Sequence, residues 1–335
     1  MANSRTNIAS VVERTRPVAA DGVVVGVHFL QDTAVFVLGE EALLMIPKGG
    51  ERRRVHVHSG AILAAASDGK RVITGGDDGQ VVATDAGGAT TVVATDQQRR
   101  WIDQVAAGHG AVAWSAGKQA FVCTARGDQR AIDTPSSVGG LAFAPKGFRL
   151  AVAHYNGATL WFPHAAQAAP ERLEWKGSHL GVTFSPDGRF LVTTMQEPTL
   201  HGWRLADRKH MRMSGYAAKV LSVSWTADGK ALATSGAKEL ILWPFQSKEG
   251  PMGKAPKMLA QYTHDVVSVA CHAKEAVVAI GYGDGLVLLV RIDDGAEILV
   301  RNPAKAPITA LAWNMAGTLL AFGSEDGEAG IVSVG

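Results

Sequence analysis

An all-β fold, a closed β-propeller of about eight four-stranded blades with seven as the alternative, is what this sequence predicts. Three observations carry that reading. A strand–turn–strand fragment centred on glycine returns at Gly69, Gly108, Gly147, Gly188, Gly229 and Gly317, about 40 residues apart with one double interval. A tryptophan keeps the same spacing at Trp161, Trp203 and Trp243, each closing a short strand-like run. No helical period of 3.6 residues is sustained, whereas β-branched residues alternate or run together.

The elements follow in order. The clearest copies of the fragment are 182–193 and 223–234, where Asp187-Gly188 and Asp228-Gly229 are dipeptides suited to tight turns between antiparallel strands. Within the double interval, His272-Ala-Lys-Glu-Ala occupies the turn position without its glycine, and Phe29-Leu-Gln-Asp-Thr supplies an earlier copy. A second turn follows in each repeat: Asp77-Asp-Gly79, Tyr155-Asn-Gly157, Gly283-Asp-Gly285. The tryptophan strand comes next, and a less regular fourth strand completes the unit. The units begin near Val23, Ile62, Ile102, Gly140, Gly181, Leu221, Val267 and Ile308. The final unit runs out at Gly335 before a fourth strand. The chain therefore reads as one propeller domain, 1–335, with residues 8–14 (Ile8 to Arg14) as the closing outer strand of the last blade, since an open ring would leave an unpaired edge.

This pattern resembles the WD40 repeat family over nearly the whole chain, most clearly between residues 140 and 260. The Trp-Asp dipeptide of that family is degenerate here, as Trp161-Phe, Trp203-Arg and Trp243-Pro. Its Gly-His opening survives loosely as Ser178-His179 and Thr263-His264. The resemblance implies a hydrogen-bonded set of His, Ser, Asp and Trp inside a blade. No unit reads as a complete set, with His264 and Asp284 left as a pair, so packing between blades is expected to carry more of the stability.

Composition narrows the function classes. A hydrophobic fraction of 47% with a net charge of +2 fits a globular chain and opposes both disorder and a strongly basic nucleic-acid binder. Cys123 and Cys271, the two cysteines, form neither a disulfide framework nor a zinc spacing. With no signal-like segment in residues 1–20 and no apolar run of membrane length, the expected address is the cytoplasm.

Chemistry is sparse. The innermost strands line the central channel, and Asp103 is nearly their only carboxylate, whereas a hard divalent cation wants several oxygen ligands. His56 and His58 share one face of a strand, but beside Arg52-Arg-Arg54 they read as surface residues and not as metal ligands. No nucleophile elbow is present, and Gly75-Gly-Asp-Asp-Gly79 precedes no helix that would cradle a phosphate. No catalytic residue, metal or cofactor is assigned.

Two surfaces remain. On one face, called the bottom, Arg52, Arg53, Arg54, Arg208 and Lys209 form a candidate polyanion-binding set. At the other end, Arg99, Arg100 and Trp101, with His179, Lys219 and Asp265 from junctions between an outer strand and the next inner strand, form a candidate partner-binding ring. The expectation is a monomeric, non-enzymatic scaffold for protein–protein contacts that touches no membrane. The alternatives are an ion-dependent hydrolase with its site in the channel, or polyanion or nucleic-acid binding through the basic face.

Overall fold

The computed structural model describes residues 8–165 and 168–334. Among these residues the fold is almost entirely β, with one 3-10 turn at Val12–Arg14. The strands form seven hydrogen-bonded sheets arranged as a β-propeller. Six of the sheets carry one repeat each; for example, Val24–Leu30, Thr33–Leu38, Ala42–Ile46 and Arg53–His56 pair in sequence order.

The expectation of about eight separate blades is corrected by the sheet count, which is the alternative number. The reason lies in residues 138–213, where two repeats share one six-stranded sheet. Leu150–Trp161 carries the second and third strands of one repeat on either side of a register break between Tyr155 and Gly157. Glu171–Phe184 then carries the fourth strand of that repeat and, past Gly177, the innermost strand of the next. Gly177 sits at φ 113°, a backbone open to glycine, within this continuous strand.

The innermost strands start within a few residues of the predicted positions and touch their neighbours around the ring, from Val24–Leu30 to Ile62–Ser67 and back from Ile308–Trp313 to Val24–Leu30. The core lies between sheets. One cluster joins Phe29, Phe36 and Leu44 to Val18, Ala321 and Ala329 of the last sheet. Another joins Phe190 and Val192 to Leu232, Ile241 and Phe245. Each fully buried large apolar side chain contributes about 1.5–3 kcal/mol, so this inter-sheet packing is the dominant stabilising term. Trp161, Trp203 and Trp243 are all buried in it.

The turn chemistry explains why the repeat is visible in the sequence. Asp187 accepts from the Ser185 hydroxyl at 2.7 Å and the Arg189 amide at 2.9 Å, and Asp228 does the same with Thr226 and Lys230. The following glycine takes a left-handed backbone in each turn. Gly108 departs from this scheme. It ends the strand Val105–Gly108, and the left-handed residues of its turn are His109 and Gly110. A side chain at Gly108 would collide with Phe143 of the neighbouring sheet. In the glycine-free turn, His272 replaces the aspartate: its Nδ1 accepts the amides of Lys274 and Glu275, and its Nε2 reaches the Gly317 carbonyl.

Closure uses a different segment from the one predicted. Thr15–Ala19, not residues 8–14, is the fourth strand of the last sheet, antiparallel to Glu328–Ser333. Pro17 is tolerated there because an outer strand needs no ladder donor on its free side. Of the predicted segment, Ala9 and Ser10 add instead to the adjacent sheet, parallel to Glu297–Arg301, and the 3-10 turn separates the two pairings.

Candidate interaction site at the channel mouth

The connection 96–102 is built to hold a side chain outward. Asp96 accepts the amides of Gln98 and Arg100, and grips the Arg100 guanidinium at 2.7 Å. The Arg100 guanidinium also donates to Gln119 Oε1 at 3.0 Å. These donors hold the Asp96 carboxyl below the usual carboxylate range despite partial burial. Ile102 is fully buried and its amide bonds the Gly76 carbonyl. The loop rests on the glycines at 75–79: a Cβ on Gly75 would lie 2.6 Å from Ile102, and one on Gly79 3.0 Å from the Arg99 Cα. Arg99 itself adopts a left-handed φ of 53°, uncommon outside glycine. Between these anchors Trp101 is 65% exposed.

The same end of the ring exposes further apolar residues at the starts of inner strands. Leu221 is 69% exposed, Val25 48%, and Val23 and Leu63 are also open. Val25, Leu63 and Leu221 line a cavity of about 770 Å³ in the channel mouth, together with Pro307, Thr309 and the carboxylate-bearing Glu325. Sequence reasoning misses these aliphatic residues because an aliphatic residue entering an inner strand reads as core. Their signal is position: each falls at the entry to an innermost strand, where one side chain in two faces the axis.

The predicted ring is only partly assembled. Arg99 and Trp101 are exposed, while Arg100 is committed to Asp96. Lys219 donates to Gln196 Oε1 at 2.9 Å, and Asp265 is half-buried with its carbonyl accepting the Gly283 amide. His179 is a correction. It is 1% exposed, bonded through Nδ1 to Thr193 Oγ1 at 2.7 Å and through Nε2 to the Trp175 carbonyl at 3.0 Å. Burial holds it below the ordinary imidazole range, so it is an internal neutral group and no rim contact.

The basic set is divided. Arg53 and Arg54 lie in the outer strand Arg53–His56 and not on a turn. Arg52 pairs with Asp21 at 2.7 Å, Arg53 donates to the Gly87 carbonyl, and Arg54 approaches Glu40 at 3.9 Å. Arg208 faces Glu171 at 3.5 Å, and Lys209 is exposed. These two belong to the six-stranded sheet, which is not adjacent to the sheet of Arg52–Arg54 in the ring.

Internal polar sets are better preserved than the sequence suggests. His58, at the junction before Ile62–Ser67, bonds Asp78 at 3.0 Å and Thr74 at 2.9 Å. Tyr216 bonds Thr234 at 2.7 Å and accepts from the Trp243 indole at 2.6 Å. His264 does approach Asp284, at 3.3 Å. Asp103, just ahead of the inner strand Val105–Gly108, accepts from the Ser115 hydroxyl at 2.8 Å, and among the described residues no three His, Cys, Asp or Glu side chains are grouped to hold a metal ion.

Radial four-stranded repeats around a channel with exposed aliphatic residues at its mouth define a β-propeller. The family model of the anaphase-promoting complex subunit 4 WD40 domain matches residues 274–335. WD repeat-containing protein 55 of Mus musculus is 25% identical over 203 residues, 58% of this chain and 50% of that protein. The WD repeat and HMG-box DNA-binding protein 1 of Xenopus laevis is 24% identical over 45% of this chain and 13% of its own length. The chain thus spans about half the length of the first of these relatives or less. The crystal structure of the computationally designed Ika8 protein superposes with a TM-score of 0.77 over 93% of this chain and 96% of that one, at 16% identity, a likeness of fold alone. The chain is thus similar to WD40 proteins in sequence over part of its length, and to a solved propeller-like structure in fold over nearly all of it.

Proposed function

We propose that this propeller is a rigid scaffold that binds a partner protein across the channel mouth, with Trp101 and Leu221 as principal apolar contacts and Val25 and Leu63 between the inner strands. The observation that carries the reading is the exposure of Val25, Leu63 and Leu221 around one cavity, with Trp101 exposed on a connection fixed by buried anchors. Exposed apolar patches on a soluble fold mark interaction surfaces, and aromatic residues on rigid loops bind with little ordering cost. Arg99 beside Trp101 and Glu325 in the cavity wall supply opposite charges that a partner can match.

The test is affinity capture from the native cell with the wild type, Trp101→Ala and Leu221→Glu, each verified as folded. Truncating a true hot-spot tryptophan typically costs about 2 kcal/mol, roughly thirtyfold in affinity. The expected result is a partner held by the wild type and lost from both variants. Equal capture by all three removes the mouth as the binding site.

A further inference from the structure

The outer strands of a propeller are sheet edges, and an edge left bare invites another strand. Here nearly every outer edge is guarded. Arg53 and Arg54 protect one, Arg130 and Asp133 another, and Arg16 with Pro17 a third. Glu297–Arg301 is covered by the added strand Ala9–Ser10. The exception among the described residues is Thr90–Thr95. Its sequence, TTVVAT, holds no charge and no proline, and its first three residues are exposed, Val92 to 55%. It is dominated by β-favouring residues, the composition that pairs most readily with an incoming strand.

Two further features define what fits. The register of Thr90–Thr95 against Gln80–Asp85 breaks between Val92 and Ala94, so the regular part of the edge is Thr90–Val92. A pairing that short occurs within this fold: Ala9 and Ser10 pair with only Ile298 and Leu299, supplemented by the Val11 amide on the Leu299 carbonyl. That segment is uncharged, with aliphatic Ile8 and Val11 packing on either side of the pairing residues. We infer that Thr90–Thr95 accepts an extended, uncharged, aliphatic-flanked segment of a partner protein as a fifth strand. This second contact lies at the periphery of the ring, apart from the channel mouth. It joins main chain to main chain, so side chains at the edge govern it chiefly by permitting approach.

The test uses the full chain and a fluorescein-labelled peptide, Ile-Ala-Ser-Val-Val flanked by lysines for solubility, which copies the chain's own added strand. Fluorescence anisotropy should show binding, and hydrogen exchange should show new protection in residues 90–95. Val92→Lys and Thr91→Lys, both exposed substitutions, should weaken binding by about tenfold or more, because an edge charge blocks pairing. Trp101→Ala should leave it unchanged, which separates this site from the mouth. If one lysine variant fails to fold, the other decides. Absence of binding, equal binding by the lysine variants, or protection only at residues 297–301 overturns the inference. Concentration-dependent self-association of the wild type that Val92→Lys abolishes also overturns it, since the occupant is then a second copy.

Discussion

Removing one oxygen atom, by Tyr216→Phe, tests how the ring compensates for its degenerate repeats. The Tyr216 hydroxyl is buried between the Thr234 hydroxyl and the Trp243 indole N–H, and burial pushes its pKa up to about 12. Thr234 also donates to the Ile241 carbonyl at 3.3 Å, so it keeps a partner when Tyr216 is lost. Trp243 does not: among the described residues its N–H has no other acceptor, in a site only 7% exposed. A buried donor left unpaired costs about 1–3 kcal/mol, against about 0.5–1.5 kcal/mol for the net contribution of a typical hydrogen bond. Tyr216→Phe is therefore expected to cost about 2 kcal/mol. In a Trp243→Phe background, where no donor is orphaned, it should cost about 1 kcal/mol. The assay is urea unfolding followed by fluorescence and circular dichroism, read as a shift in midpoint at constant slope. The difference between backgrounds is the coupling energy of the pair. A cost below about 0.5 kcal/mol, or the same cost in both backgrounds, refutes the assignment of this triad as a stabilising unit.

Other outcomes follow from the same structure. Gly139→Ala should destabilise the ring by more than about 2 kcal/mol, because a Cβ there would overlap the His179 carbonyl of the adjoining strand; thermal denaturation measures it. Deleting residues 1–19 should lower the melting temperature and produce oligomers on size exclusion, because Glu328–Ser333 loses its partner. Acid should destabilise in two stages. His28 and His201 are held by burial at about 4 and about 3, so the unfolded chain alone takes up their protons once the pH falls below about 6.5, and stability is lost from there down to the folded values. Asp78 and Asp96, whose hydrogen bonds outweigh desolvation and lower their pKa, contribute stability above the ordinary 3.8 that is lost as pH falls through their folded values. Unfolding free energy that stays flat between pH 7 and pH 4.5 contradicts the histidine part.

Legibility in the sequence tracks locality. Turns such as Ser185-Pro-Asp-Gly are self-contained: the aspartate, the amides it binds and the left-handed glycine all lie within a few residues. They therefore mark the repeat reliably. The closing segment is misplaced in the sequence reading because Ile8, Val11 and Val12 look strand-like, whereas the strand that closes the last sheet contains Pro17. Only the edge position of that strand makes the proline acceptable. His58 reads as a surface residue, since Thr74 and Asp78, its partners, lie 16 and 20 positions away. Tyr216 gives no signal at all, because it stands where the family pattern has histidine. His179 is expected on the rim from its place at a junction, yet its ring turns inward to Thr193. Backbone position is thus readable, but side-chain direction at junctions is not.

That inward turn bears on how the mouth works. Three junction side chains, His58, His179 and Tyr216, are buried and bonded to a threonine of the second strand of their repeat. Each ties the connection between blades to the sheet beneath it. The junction at 96–102 has no such residue and uses Asp96, with Arg100 clamped above and Ile102 buried below. The chemistry differs and the consequence is the same: the connection is held at points adjoining an exposed residue. Leu221 follows the same arrangement, its amide donating to the Ser235 hydroxyl at 3.1 Å just after buried Val220. An exposed apolar side chain on a mobile loop would lose part of its binding energy to ordering, about 0.5–1.5 kcal/mol for each immobilised side chain. Here the backbone beneath Trp101 and Leu221 is already ordered, so the area they cover converts more fully into affinity. Loosening the anchor, as in Asp96→Ala, should therefore weaken partner capture while leaving Trp101 in place chemically, and an unchanged affinity in that variant would show that pre-ordering of this loop contributes nothing.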